Sequence, residues 1–195
     1  MFEGWRFILG SGSPRRRELI AGLGIEFSVE PVKGDPEVYD ESMPVELVPE
    51  YLARHKSSCF GRPLEDDEVL ITADTLVCLE GELLGKPEGR EGAVDMLRRL
   101  SGKTHQVYTG VAIRTNRGIS SFTSCTDVTF KELTDSEIAY YVDNYRPFDK
   151  AGAYGVQEWI GYAGITRIEG SYFNVVGLPV QRLYMELCKV LHSPS

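Results

Sequence analysis

Long apolar runs are missing from this chain of 195 residues. No stretch of about 18 apolar residues is present, which excludes a helical membrane span. The opening "MFEGWRFILGSG" is too short and too broken by glycine for a secretory signal, so a soluble, cytoplasmic protein with no membrane partner is expected. Cysteine is scarce. Cys59, Cys78, Cys125 and Cys188 stand far apart with no CxxC pair, and only His55, His105 and His192 are there to assist them. That spacing gives little support to a structural zinc site; buried free thiols in a reducing compartment are expected instead. Neither a low-complexity tract nor an internal repeat is found, which argues against a linker, fibre or solenoid. Positive charge is the minority sign, with 21 Lys and Arg against 29 Asp and Glu and a net charge of -8. General attraction to a nucleic acid polymer is therefore not expected, and any anion site must be a local cluster working against the overall field.

What is present is an ordinary globular mixture, 42% hydrophobic and 26% charged, long enough for one domain over 1–195 or one core split by a cleft. Arg6 to Ser11 reads as a strand, with Ser13 and Pro14 as N-cap and first position of a helix that stops at Gly22 or Gly24. The segment "VEPVKGDPEVYDESMP" reads as an exposed loop, and "VELVPEYLARHKSSCF" has helical spacing through Leu47, Tyr51 and Leu52, with Lys56 near its end. "EVLITADTLVCLEGELLGKP" is a nearly continuous apolar run that suits a strand covered on both faces, turning back at Glu80-Gly81. A helix follows in "GREGAVDMLRRLSG", then a hairpin through Asn116-Arg117-Gly118, then a helix opened by a capping box of Thr134 and Glu137. "RPFDKAGAYG" reads as a loop, "YAGITRI" and "SYFNVVG" as short strands, and Pro179 as the start of a C-terminal helix through Leu191. Strands alternating with helices, plus hairpins, predict an α/β fold with a mixed sheet flanked by helices.

Four features could carry chemistry. "GSGSPRRREL" places Arg15, Arg16 and Arg17 at the positive end of a helix, where their own charge is unfavourable unless an anion is bound. It lacks the GK[ST] ending of a P-loop and the third glycine of a dinucleotide fingerprint, yet backbone N–H groups and guanidinium forks make a good cradle for phosphate. A solvated basic helix end stays open beside that reading. Asp74 interrupts an apolar run, so it must lie at a strand's end, be hydrogen-bonded, or face a cation. Beside Lys56, Lys86 and the arginine turn it could ligate Mg²⁺ or take a proton from water, and the residues alone do not choose. Asp149 and Lys150 could be a mere surface ion pair, and Gln157 carries an amide suited to reading a base edge.

Together, "GSGSPRRREL", "ADTLV", "LGKP", "LSGKTHQVYTGVA", "TDVTF", "DKAGAYGVQ" and "GSYFNVVGLP", in this order from Gly10 to Pro179, resemble the Maf family of septum-formation-like nucleoside triphosphate pyrophosphatases. "SPRR", "ADT" and "DKAGAYGVQ" resemble the branch acting on dTTP and UTP, not the one acting on 7-methyl-GTP. The resemblance implies an inosine-triphosphatase-like α/β fold with two lobes around a central cleft. It further implies hydrolysis of a nucleoside triphosphate to monophosphate and pyrophosphate with a divalent cation, Mg²⁺ or Mn²⁺, and suggests a homodimer. By position, Asp74 matches the family's proton acceptor, and Arg15, Thr75 and Gln157 its base-discriminating residues. Ser11, Arg16, Lys56 and Lys86 fall where phosphates are contacted, with Asp149 and Lys150 also on the substrate side. The metal would be held by Asp74 and by Glu37 or Glu41 of "GDPEVYDES", with Glu37 favoured. The alternatives within this resemblance are a non-catalytic nucleotide sensor in cell division and a broader pyrophosphatase for modified pyrimidine triphosphates.

Overall fold

A computed structural model describes residues 2–32 and 38–192. In chain order its strands are β1 (Arg6–Leu9), β2 (Phe27–Val29), β3 (Glu68–Leu79), β4 (Glu82–Leu84), β5 (Thr104–Thr115), β6 (Gly118–Phe130) and β7 (Ile165–Glu169). The helices are α1 (Pro14–Ala21), α2 (Val48–Ser58), α3 (Gly89–Leu100), α4 (Asp135–Tyr145), α5 (Trp159–Gly164), α6 (Tyr172–Val176) and α7 (Val180–His192), with a 3-10 turn at Ala151–Ala153. The strands form one sheet in the order β2-β1-β3-β5-β6-β7, with β4 on β3. β1 is parallel to β2 and β3, while β3 with β4 and β6 with β7 are antiparallel, so the sheet is mixed as expected. No helix among the described residues is long and apolar enough to cross a membrane.

Local signals explain where α1 and α4 begin. The Ser13 side chain accepts the Arg16 N–H and Pro14 opens α1, which ends at Gly22. Thr134 and Glu137 complete the capping box of α4 in both directions. β3 is buried along almost its full length, the pattern its apolar run predicts.

Several expectations need correction. Val29, the first residue of the segment expected as a loop, instead ends the strand Phe27–Val29 beside β1. Tyr162–Gly164 close α5, so the next strand starts only at Ile165. "SYFNVVG" forms α6, not a strand: a helical turn carries Asn174 inward, where its amide donates to Val107 O and Thr126 Oγ1, both at 3.0 Å. Leu47 and Tyr51 are exposed, and α2 instead buries Val48, Pro49, Leu52 and Ala53. Cys59 and Cys125 are exposed and Cys188 is half-buried; of the four free thiols Cys78 alone is buried.

The chain divides into two compact units. The first comprises Met1–Asp74, Thr109–Ser124 and Gly177–Ser195, with a core that includes Phe7, Leu9, Ile71, Val111, Ile113 and Leu183. The second comprises Thr75–Tyr108 and Cys125–Val176, cored by residues such as Val77, Leu97, Val107, Phe130 and Tyr141.

His105 is fully buried in the second core, stacked on Phe130, with Nε2 2.7 Å from the Tyr154 hydroxyl. Burial holds its imidazole down to about 4. The unfolded chain takes that proton near pH 6.5, so between these values the unfolded state binds more protons. Stability is therefore full above pH 6.5 and falls as pH drops towards 4. Between pH 6.5 and 5 the loss from this group is expected to be about 2 kcal/mol. Urea midpoints should fall over that window in the parent and fall less in His105→Gln, which cannot titrate; equal slopes would contradict the assignment.

Candidate active site

In the first unit, parallel pairing sets the turn after β1. Leu9 pairs with Ile71, and Gly10 N–H donates to Ile71 O at 2.8 Å. The chain thus leaves β1 alongside Thr72, two residues before Asp74. Gly10 is required there, because a Cβ would lie 2.7 Å from Thr72 Cγ2. Ser11 Oγ accepts from Ser13 N–H and from Arg16 Nη1, both at 3.3 Å, and Arg16 Nε donates to Gly177 O at 2.9 Å. Arg16 is folded back over its own turn, whereas Arg17 is exposed and donates to Gly12 O at 3.3 Å. Arg15 lies half-buried in the first turn of α1. Arg15 and Arg16 are thus half-buried and Arg17 is exposed, unlike a uniformly solvated helix end.

Asp74 sits in the middle of β3, 6% exposed, which removes the option of a strand end. Its Oδ1 accepts from Lys56 Nζ. A buried carboxylate needs such a partner, and the partner's position is set by how α2 is fastened. Thr72 Oγ1 donates to Ala53 O at 2.7 Å, and Arg114 Nη1 donates to Ser57 O at 2.6 Å near the end of the helix. Glu50 accepts from Ser121 Oγ at 2.6 Å and Thr123 Oγ1 at 3.2 Å. Gly110 on β5 lets the first turn of α2 lie directly on the strand: a Cβ there would be 2.1 Å from the Pro49 carbonyl carbon. Bonds from β3, β5 and β6 thus hold α2 so that Lys56, in its last turn, meets Asp74.

Among the described residues, no group of three or more His, Cys, Asp or Glu side chains forms a resident metal cage. Magnesium uses one or two protein carboxylates and completes its shell with water or other oxygen ligands, so a single carboxylate such as Asp74 is chemically able to be one of its ligands. Glu37 lies outside the described residues, and Glu41 is exposed.

In the second unit, Thr75 follows Asp74 on β3 and is half-buried, while Lys86 is exposed in the connection from β4 to α3. The "DKAGAYGVQ" loop is tied down just after β4 by Gly152, whose N–H donates to Gly85 O at 3.1 Å. Gly152 has φ 68° and no room for a side chain, as its Cβ would lie 3.0 Å from Val77. Lys150 Nζ pairs with Asp149 at 2.9 Å and with Glu158 at 3.1 Å. Glu158 Oε2 also accepts from the Tyr141 hydroxyl, which itself accepts the Gly155 N–H at 2.9 Å. Burial, reinforced by Glu158, pushes the Tyr141 phenol up, so it remains a donor. Gln157 is half-buried, and its Oε1 is buried without a hydrogen-bond partner among the described residues.

The structure thus brings together Ser11 with Arg16, Lys56 with Asp74, and Asp149 with Lys150. Sequence reasoning missed Glu158 and Tyr141. A signal for the first was available, since Glu158 is an acid directly before the apolar and aromatic "WIGY".

Among known proteins, the family model described as Maf-like protein matches residues 6–190. A relative from Bacteroides thetaiotaomicron named dTTP/UTP pyrophosphatase is 54% identical over 95% of this chain and 96% of its own. One of the same name from Porphyromonas gingivalis is 50% identical over 94% of this chain and 93% of its own. A solved nucleoside-triphosphatase / dITP/XTP pyrophosphatase from Mycobacterium abscessus is 14% identical, with a TM-score of 0.45 over 96% of this chain and 100% of that one. The motifs, the match across nearly the whole length and the identity to these relatives converge: this chain belongs to the Maf family.

Proposed function

We propose that the chain, as a single domain over 1–195, is a cytoplasmic nucleoside triphosphate pyrophosphatase that converts dTTP and UTP to the monophosphate and pyrophosphate, clearing nucleotide pools. The buried Asp74–Lys56 pair, three residues along β3 from the strand partner of the arginine turn, carries this reading. It is supported by the 54% identity to a relative named for that activity.

A triphosphate brings about four negative charges to an acidic protein, so its binding needs fixed cationic donors. Ser11, Arg15, Arg16 and the α1 N-terminus are assigned to phosphate oxygens, with Arg15 also on the base side, and Lys56 and Lys86 add point charges. Asp74 takes the proton of the water that attacks the α-phosphorus, and pyrophosphate leaves. Asp74 and Glu37 would hold a divalent cation, Mg²⁺ or Mn²⁺, which when bound supplies charge neutralisation on the phosphates. For the base, Thr75 and Gln157 are assigned to selection: the amide offers a donor and an acceptor to the imide edge of uracil or thymine. A base of the wrong pattern would leave a buried polar group unpaired, at about 1 to 3 kcal/mol.

Incubated with UTP and Mg²⁺, the protein is expected to release UMP and pyrophosphate in equal amounts. Release of orthophosphate and UDP, or binding without turnover, would contradict the proposal.

A further inference from the structure

The loop carrying Gln157 is pinned in part by two residues that the sequence motifs do not include, Tyr141 and Glu158. Glu158 N–H donates to Gly155 O at 3.0 Å, closing a tight turn around Val156 and Gln157. From inside the core, the Tyr141 hydroxyl receives the Gly155 N–H and donates to Glu158 Oε2, touching the residues on both sides of Gln157. Lys150, whose side chain is only 10% exposed, then ties Glu158 to the start of the same loop. Tyr141 is itself fully buried in α4 and stacked on Tyr145, so this single hydroxyl anchors the turn to a rigid helix.

We propose that Tyr141 is a positioning residue for base selection, acting through Glu158 and Gly155 to fix the turn that presents Gln157. Lys150 belongs to the same bracket, holding Glu158 from the other side. The inference rests on the reading of Gln157 given above. Tyr141→Phe keeps the ring and its packing but leaves a buried N–H and a carboxylate oxygen without their shared partner. The turn then loses its fixed register with no change in the groups assigned to phosphate.

The test compares kcat and KM for UTP and GTP in the parent, Tyr141→Phe, Gln157→Ala and the double variant. Tyr141→Phe is expected to raise the KM for UTP about tenfold and to lower the UTP-to-GTP ratio of kcat/KM, with kcat for UTP kept within about twofold. In the Gln157→Ala background it should change selectivity no further, because the group it positions is gone. Glu158→Ala, on a half-buried side chain, carries the same expectations should Tyr141→Phe fail to fold. If Gln157→Ala lowers the ratio while Tyr141→Phe and Glu158→Ala leave it unchanged, Tyr141 is a core residue only and the proposal is overturned. If Gln157→Ala itself leaves the ratio unchanged, the reading of Gln157 falls, and this inference with it.

Discussion

Asp74→Asn is expected to cut pyrophosphate release from UTP by about 10² to 10⁴-fold, the range of a lost general base, while also destabilising the protein. The destabilisation follows from the packing around the pair. Lys56 is 16% exposed at its side chain and Asp74 9%, so an asparagine leaves a largely buried ammonium facing a neutral amide. Removing one member of a buried pair costs about 3 to 5 kcal/mol, and the residual exposure of Lys56 brings the expectation nearer 2. Pairing Asp74→Asn with Lys56→Met should recover much of that stability without recovering turnover. Activity and stability thereby separate. Turnover near the parent level in Asp74→Asn, or its return in the double variant together with stability, would show that Asp74 only compensates the buried Lys56 charge and that the pair takes no part in the reaction.

Gly110→Ala is expected to have the largest effect on the fold. The added methyl would meet the Pro49 carbonyl carbon at 2.1 Å, its oxygen at 2.2 Å and Glu50 N at 2.3 Å, all backbone atoms that cannot rotate aside. Overpacking of a well-filled interface typically costs about 1 to 3 kcal/mol, and a rigid clash of this kind should reach or exceed the upper figure. Because α2 carries Lys56, the helix must lift from β5 and disturb its pairing with Asp74. Denaturation midpoints measured beside Gly61→Ala, where a Cβ meets nothing within 4 Å, give the comparison. A loss at Gly110 no larger than at Gly61 would mean that α2 is not seated by this contact.

These two positions mark the limit of what the sequence reveals. Where one short segment contains the whole cause, the reading was direct: Ser13 and Pro14 start α1, and Thr134 with Glu137 start α4. The apolar run through β3 announces its burial, and the oddity of Asp74 within it announces a partner. The buried face of α2 was not legible, since apolar residues lie on more than one side of it and Gly110 and Thr72, far along the chain, decide which side is seated. The helix at Tyr172–Val176 was hidden for the same reason: its aromatic and β-branched residues favour a strand, and the two hydrogen bonds of Asn174 override them. Tyr141 looked like one more aromatic on a helix. Only its hydroxyl, placed between Gly155 and Glu158, links it to the loop that carries Gln157.

The account turns on water attacking the α-phosphorus of a triphosphate under the control of Asp74. Turnover of UTP in ¹⁸O-water with Mg²⁺, with the products analysed by mass spectrometry, tests that directly. One labelled oxygen in UMP and none in pyrophosphate is the expected result; label in pyrophosphate, or no cleavage at all, would contradict it.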